Sequence, residues 1–167
     1  MQTFLEIMFF MDIPNQYDIL ELKRFIEQIE RRTAAISSHK ELQERAKRVF
    51  DLMGYDETMY VYNFLWAGVP SIQMPQDIMA KQELIWQYKP NAIIETGIAW
   101  GGGLAFYNSM LMILENCGLI KERRVVGIDI EIREHTKKIL ELHPVLRDVS
   151  VHEGSSITDE AQSFVTE

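Results

Sequence analysis

A glycine-rich turn after a short apolar run constrains the fold of this chain more than any other stretch. The run Ala92–Glu95 is followed by Gly97, Gly101, Gly102 and Gly103, and then by a helical pattern of apolar residues. Strand, tight loop and helix in this order are typical of a turn whose backbone approaches a ligand closely. Free N–H groups at the helix start favour an anionic or hydrogen-bond-accepting group. A purely structural tight turn is the alternative, and it explains one glycine better than four.

Strands and helices alternate through the second half of the chain. The segments Ala92–Glu95, Arg124–Asp129 and Asp148–His152 predict strands, and a helical pattern follows each of them. This order predicts a parallel sheet of βα units with right-handed crossovers. We therefore expect an α/β fold, a Rossmann-like sheet truncated after the third strand, in a cofactor-binding half-domain over residues 75–167. Residues 1–74 form the preceding helical and loop region.

The N-terminal region contributes two or three helices before the sheet. Apolar residues recur at helical spacing over Ile19–Ile36 and again over Leu42–Met53. Between Tyr60 and Trp66 aromatic residues alternate with others, which fits a half-buried strand. A proline and an early acid predict a further helix from Pro75 to Tyr88.

Charge and composition exclude several classes of partner. The net charge is −8 and no basic run is present, so nucleic acid and anionic membranes are disfavoured as partners. No apolar run is long enough to span a bilayer. The apolar N-terminus carries Glu6 and lacks the basic start of a secretory signal. The single Cys117 permits no internal disulfide. These features predict a cytoplasmic protein that acts on small molecules.

Acidic residues end the predicted strands at the edge where parallel sheets bind ligands. Asp129 ends the second strand and is placed to accept both hydroxyls of a ribose. The spacing from Gly97 to Gly101 departs from the dinucleotide fingerprint, and no phosphate-binding Gly-Lys-Ser/Thr loop is present. An acid before the first glycine, Glu95, together with Asp129, suits a cofactor that has a ribose and a cationic amino acid tail. S-adenosylmethionine is such a cofactor.

Five motifs in order resemble the cephalosporin hydroxylase and rhamnosyl O-methyltransferase family. They are Gln73-Met-Pro-Gln-Asp77, Glu95-Thr-Gly-Ile-Ala, Gly101-Gly102, Val126-Gly-Ile-Asp129-Ile and Glu153-Gly-Ser-Ser156. The resemblance covers roughly Trp66 to Ser156. It implies a Rossmann-like methyltransferase fold, whose complete sheet has seven strands, and S-adenosylmethionine as cofactor. It also implies methyl transfer to a hydroxyl of an antibiotic-like or sugar substrate, often with Mg²⁺, and a homo-oligomer.

The resemblance assigns roles to matching positions. It implies that Asp129 holds the ribose and that Gln73 and Asp77 lie at the pocket mouth. For Asp77, an acid that merely favours a helix start is an equally good interpretation. The residues implied to hold the methionine part are Glu95, Gly97 and Gly101, and those implied to flank the adenine are Glu153, Gly154 and Ser155. Gly102 is also implied to bind the cofactor.

The chain departs from the family pattern at one position of the turn. Trp100 stands where the family usually has arginine, which removes a charge contact and introduces a ring that stacks or blocks. No general base is assigned. Asp129, Glu131 and His135 form a local set that resembles a metal site, but a solvated loop is the better interpretation. Two other functions stay open, a truncated non-catalytic S-adenosylmethionine-binding or assembly module and an NAD-binding fragment.

Overall fold

The computed structural model describes residues 19–54 and 59–166. The chain divides into two compact units, Met1–Thr58 and Met59–Glu167, and each is described by itself. Expectations about the apolar N-terminus before Pro14 lie outside the described residues. The predicted domain boundary between residues 74 and 75 stays a prediction.

The first unit contains two amphipathic helices, as the apolar spacing predicts. Helix α1 is Ile19–Ser38 and helix α2 is Lys40–Gly54. His39 lies between them and caps α2, because its Nδ1 accepts a hydrogen bond from the backbone N–H of Leu42 at 3.2 Å. In α1 the side chain of Ile26 is half-buried, whereas that of Ile29 is 46% exposed.

The second unit is an α/β arrangement built on a parallel sheet of three strands, β3 (Ala92–Thr96), β4 (Arg124–Asp129) and β5 (Val149–Glu153), in that order. The predicted fold class is thereby confirmed. The strands lie in sequence order, and Thr96 pairs with Ile128 while Asp129 pairs with Glu153. Within the described residues, β3 has β4 as its one strand neighbour. The elements are β1 (Leu65–Trp66), β2 (Val69–Pro70), α3 (Pro75–Tyr88), β3 (Ala92–Thr96), α4 (Gly102–Asn116), β4 (Arg124–Asp129), α5 (Glu134–Leu142), β5 (Val149–Glu153) and α6 (Asp159–Thr166).

The predicted strand between Tyr60 and Trp66 is wrong for most of its length. Tyr60–Tyr62 is a turn of 3₁₀ helix, and only Leu65–Trp66 is extended. The side-chain amide of Asn63 donates to the carbonyl of Tyr60 at 3.2 Å, so a local hydrogen bond replaces a ladder hydrogen bond. The rings of Tyr60 and Phe64 also meet edge to face. Residues four positions apart are neighbours in a helical turn, whereas along a strand they lie too far apart for their rings to touch.

Helix α4 is the centre of the core because it is apolar on nearly all sides. Phe106 is fully buried and contacts the ring of Trp66 edge to face, with 4.9 Å between centroids. The indole N–H of Trp66 donates to Ser109 at 3.1 Å, so its one polar group is satisfied. Buried Asn108 donates to the carbonyl of Val145 at 2.6 Å. Helix α4 is thereby fixed between the β1–β2 hairpin and the segment before β5.

Helix α6 is fixed to the start of β4 by Arg124. Its guanidinium donates to the carbonyls of Val165 and Phe164 at 2.7 and 2.9 Å. These are carbonyls of the last helical turn, which have no partner within the helix and carry the negative end of the dipole. Ala161 of α6 packs on Val126 and Ile128 on this face of the sheet.

No helix in the described parts of the chain has the length and hydrophobicity required to cross a membrane.

Close packing of the α4 start against β2 leads to the first prediction. A Cβ at residue 102 would lie 2.3 Å from the carbonyl oxygen of Pro70 and 2.6 Å from Cα of Ser71, which are backbone atoms that cannot move aside. We expect Gly102→Ala to lower the free energy of unfolding by about 3 kcal/mol, as overpacking does. Urea unfolding measures it.

Gly118→Ala is the matched control. A Cβ there meets nothing within 4 Å, and the positive φ of +69° alone disfavours alanine, at a cost of about 1 kcal/mol. Equal losses of unfolding free energy in the two variants would show that the contact with β2 is not what requires glycine at position 102.

Candidate functional site

The loop between β3 and α4 continues the sheet and then turns sharply. The N–H of Gly97 donates to the carbonyl of Ile128 at 2.8 Å, which extends the pairing of β3 with β4 by one residue. Gly97 and Gly101 have φ values of +79° and +88°, in the region that only glycine adopts without strain. The N–H of Gly101 donates to the carbonyl of Ile98 at 2.8 Å and closes the turn where α4 begins.

Asp129 holds this loop from the end of the neighbouring strand. Its Oδ2 accepts hydrogen bonds from the backbone N–H groups of Ile98 at 2.8 Å and Ala99 at 3.4 Å. Its Oδ1 accepts from the N–H of Glu131 at 3.3 Å. A carboxylate has about four lone-pair positions, so these three bonds leave capacity for a hydroxyl donor. Asp129 is therefore an organiser of the loop as well as a candidate ligand for a ribose.

Helix α5 fixes the outer side of the same loop. The hydroxyl of Thr136, which is fully buried, donates to the carbonyl of Ala99 at 2.9 Å. The indole of Trp100 lies against the imidazole of His135, with 3.9 Å between ring centroids and 30° between planes. Trp100 therefore stacks on α5, which is one of the two outcomes that its sequence position predicts.

The end of β5 is tied to the segment that follows β4. Glu153 accepts a hydrogen bond from the N–H of Ile132 at 3.1 Å, and its other oxygen pairs with Lys137 at 2.9 Å. The hydrogen bond from Lys137 lowers the pKa of Glu153 and, in turn, raises that of Lys137. The N–H of Gly154 donates to the backbone carbonyl of Asp129 at 2.7 Å, and the carbonyl of Ser155 accepts from Thr158 at 2.9 Å.

Besides Ser71, Glu95 is the residue of the described chain whose side chain has a buried oxygen without a hydrogen-bond partner. Its Oε2 is buried and has no hydrogen-bond partner in the described chain. A Cβ at residue 103 would lie 2.2 Å from its Oε1, so Gly103 leaves the space that the carboxylate fills. Burial raises the pKa of Glu95 from 4.5 to about 7, and the positive charge of Lys81 opposes this rise.

Lys81 was missed by sequence reasoning, although the sequence contained a signal. It lies between Ile78 and Ile85 on the stripe of α3 that faces the core, where spacing predicts an apolar residue. Its Nζ donates to Oε1 of Gln73 at 2.9 Å and lies 5.7 Å from the ring centroid of Tyr107. A charge at a core-facing position is the kind of local inconsistency that marks a functional candidate.

The predicted site residues fall into two groups. Asp129 and the glycine loop are joined by direct hydrogen bonds to each other and through Gly154 to the end of β5. Glu95 forms a second group with Gly103 and Lys81, and Gln73 joins it through Lys81. Asp77 is exposed in the first turn of α3. No hydrogen bond described for its side chain joins it to either group. It stays a prediction as a pocket residue.

Metal ligands are not assembled in residues 19–54 and 59–166, where no three His, Cys, Asp or Glu side chains lie close enough to hold an ion. Within these ranges Asp129, Glu131 and His135 are therefore not gathered into a ligand set. Mg²⁺ stays a prediction of the family resemblance.

Comparison with known proteins links this sequence to one family. Residues 58–167 match the family described as Rhamnosyl O-methyltransferase/CmcI. A solved structure titled "cmcI-N160 SAH" is 21% identical, with a TM-score of 0.44 over 64% of this chain and 49% of that chain. The chain thus spans about half the length of that solved chain. No curated protein matches it.

The buried carboxylate of Glu95 generates a pH prediction. Because its pKa is raised from 4.5 to about 7 in the folded protein, the folded state binds the proton more tightly than the unfolded state. Its contribution to stability is therefore fully present below pH 4.5 and is lost as the pH rises to about 7. We expect wild type to lose on the order of 3 kcal/mol across this window relative to Glu95→Gln.

Urea unfolding at several pH values between these limits measures the difference. Glu83→Gln, an exposed change on α3, is the control and should follow wild type. Parallel pH profiles for wild type and Glu95→Gln would show that Glu95 is not held in an environment that disfavours its charge.

Proposed function

The chain belongs to the rhamnosyl O-methyltransferase/CmcI family, and from this premise we propose that it binds S-adenosylmethionine and takes part in methyl transfer to a hydroxyl of a small molecule or sugar. Family membership confirms the resemblance in the sequence motifs. One observation carries the proposal for the cofactor: a carboxylate beside the glycine turn keeps a buried oxygen without a partner. Such an acceptor suits the cationic amino acid end of this cofactor.

In this proposal the two groups of residues bind different parts of the cofactor. Glu95, Gly97 and Gly101 hold the methionine part, Gly102 also binds the cofactor, and Asp129 accepts one ribose hydroxyl at the lone-pair position that the loop leaves free. The turn residues allow the close approach of backbone to ligand. In the same proposal Glu153, Gly154 and Ser155 flank the adenine, and Gln73 and Asp77 lie at the pocket mouth.

The bound cofactor supplies an electrophilic methyl group on a sulfonium. The chain's own contribution is positioning, because Asp129 and Thr136 fix the loop on both sides before any ligand arrives. The buried Oε2 of Glu95 is itself shielded from water. The acceptor hydroxyl, its general base and a metal have no assigned residues, so no step is derived through them. A cytoplasmic location and a homo-oligomer belong to the proposal and rest on the sequence alone.

Ligand-dependent stability tests the cofactor. Thermal unfolding of the 167-residue chain is followed with S-adenosylhomocysteine and, separately, with NAD at the same concentration. At 100 times the dissociation constant a ligand adds about 2.7 kcal/mol, so we expect S-adenosylhomocysteine alone to raise the melting temperature. A rise with NAD alone, or with neither ligand, contradicts the proposal for this chain.

Asp129→Ala tests the ribose contact. Loss of a charged hydrogen-bond acceptor should weaken S-adenosylhomocysteine binding by about 1.5 to 3 kcal/mol, measured by calorimetry. Because Asp129 also holds the loop, the control is Thr136→Val, which removes the other side-chain anchor of the loop but leaves the carboxylate. Equal losses in the two variants would assign Asp129 to the loop and remove it from direct contact with the ligand.

A further inference from the structure

We infer that Lys81 and Glu95 form a two-charge clamp for the α-amino acid end of the ligand, in which Lys81 binds its carboxylate and Glu95 binds its ammonium. This inference rests on the proposed function, because S-adenosylmethionine carries such a zwitterion. It adds Lys81 and a selectivity that the sequence motifs and the family match do not assign.

Glu95 supplies the anionic half of the clamp. An ionised carboxylate only accepts hydrogen bonds, and Oε2 of Glu95 is buried without a donor. An ammonium group brings three hydrogen-bond donors and a positive charge, so it supplies both the missing donor and a counter-charge to this oxygen. Gly103 is closely packed against the same carboxylate and restricts its position. The acceptor is therefore fixed in place before the ligand binds.

Lys81 supplies the cationic half. Its single hydrogen bond to a side chain, to the neutral amide of Gln73, uses one of its three donors. In the described part of the chain no carboxylate lies within ion-pair distance of its Nζ. Lys81 nevertheless lies near Glu95, because it lines a recess with Ile93, which is on the same face of β3 as Glu95. Its positive charge lowers the pKa of Glu95 against the effect of burial. The two charges thus attract each other without touching.

Two opposite charges held near each other but apart match a ligand that carries both signs. The alternative to the clamp is a direct ion pair between Lys81 and Glu95, in which Lys81 contributes to folding and not to ligand binding. Room for movement exists, because Lys81 also lines a recess of about 240 Å³ together with Ile93 and Tyr107. The ring of Tyr107 on that recess lies 5.7 Å from Nζ, so the ammonium of Lys81 has a cation–π contact there as well as its hydrogen bond to Gln73.

A pair of ligands that differ only in the amino acid end separates the clamp from a structural role. S-adenosylhomocysteine carries the zwitterion, whereas 5′-methylthioadenosine has the same adenosine and thioether without it. We expect Lys81→Met to raise the dissociation constant of S-adenosylhomocysteine roughly tenfold or more and to change that of methylthioadenosine less than about twofold. Calorimetry on the full chain measures both.

Two further variants keep the test decisive. Lys81→Arg retains the charge and should keep the preference for S-adenosylhomocysteine, and Lys121→Met, an exposed change in the loop before β4, should leave both affinities unchanged. Equal weakening of both ligands by Lys81→Met, or no weakening of either, overturns the clamp while the cofactor proposal stands. Wild type that binds neither ligand overturns the proposed function itself, and the clamp with it.

Discussion

The carboxylate of Asp129 is the contact on which the geometry of this edge depends. It lies at the end of β4, yet it accepts hydrogen bonds from two consecutive N–H groups of the loop after β3. Gly127 on the same strand lets the loop and α4 approach, because a Cβ there would lie 2.8 Å from Leu104 and 2.9 Å from Ile98. One strand therefore sets the shape of the turn that follows its neighbour.

A loop held in this way is formed before a ligand binds. Asp129 holds its N–H groups, Thr136 holds a carbonyl, and Trp100 stacks on α5. Little conformational entropy then remains to be lost on binding, which favours affinity. The same contacts give Asp129 and Glu153 structural partners inside the protein. A loss of binding after mutation of either residue consequently mixes a direct and an indirect effect, and only matched loop variants separate them.

Sequence patterns predicted the regular elements well and the side-chain environment poorly. The bounds of α3 and β4 follow from local signals, a proline at a helix start and an apolar run ended by an acid. The segment Tyr60–Tyr62 was predicted wrongly because its alternating aromatic pattern competes with local hydrogen bonds of Asn63. The engagement of Asp129 with the loop depends on residues about thirty positions apart, which spacing within one motif does not encode.

Structural and ligand-binding explanations of the glycines do not exclude each other. Gly102 is required by its contact with Pro70 whether or not a ligand binds. Gly103 differs, because its requirement comes from a buried carboxylate with an unpaired oxygen. A turn selected for stability alone would place an apolar residue at position 95, since burying an unpaired acid disfavours folding. Glu95 and the glycine that accommodates it are therefore best explained together, as a local loss of stability that the proposed binding of a cationic group would offset.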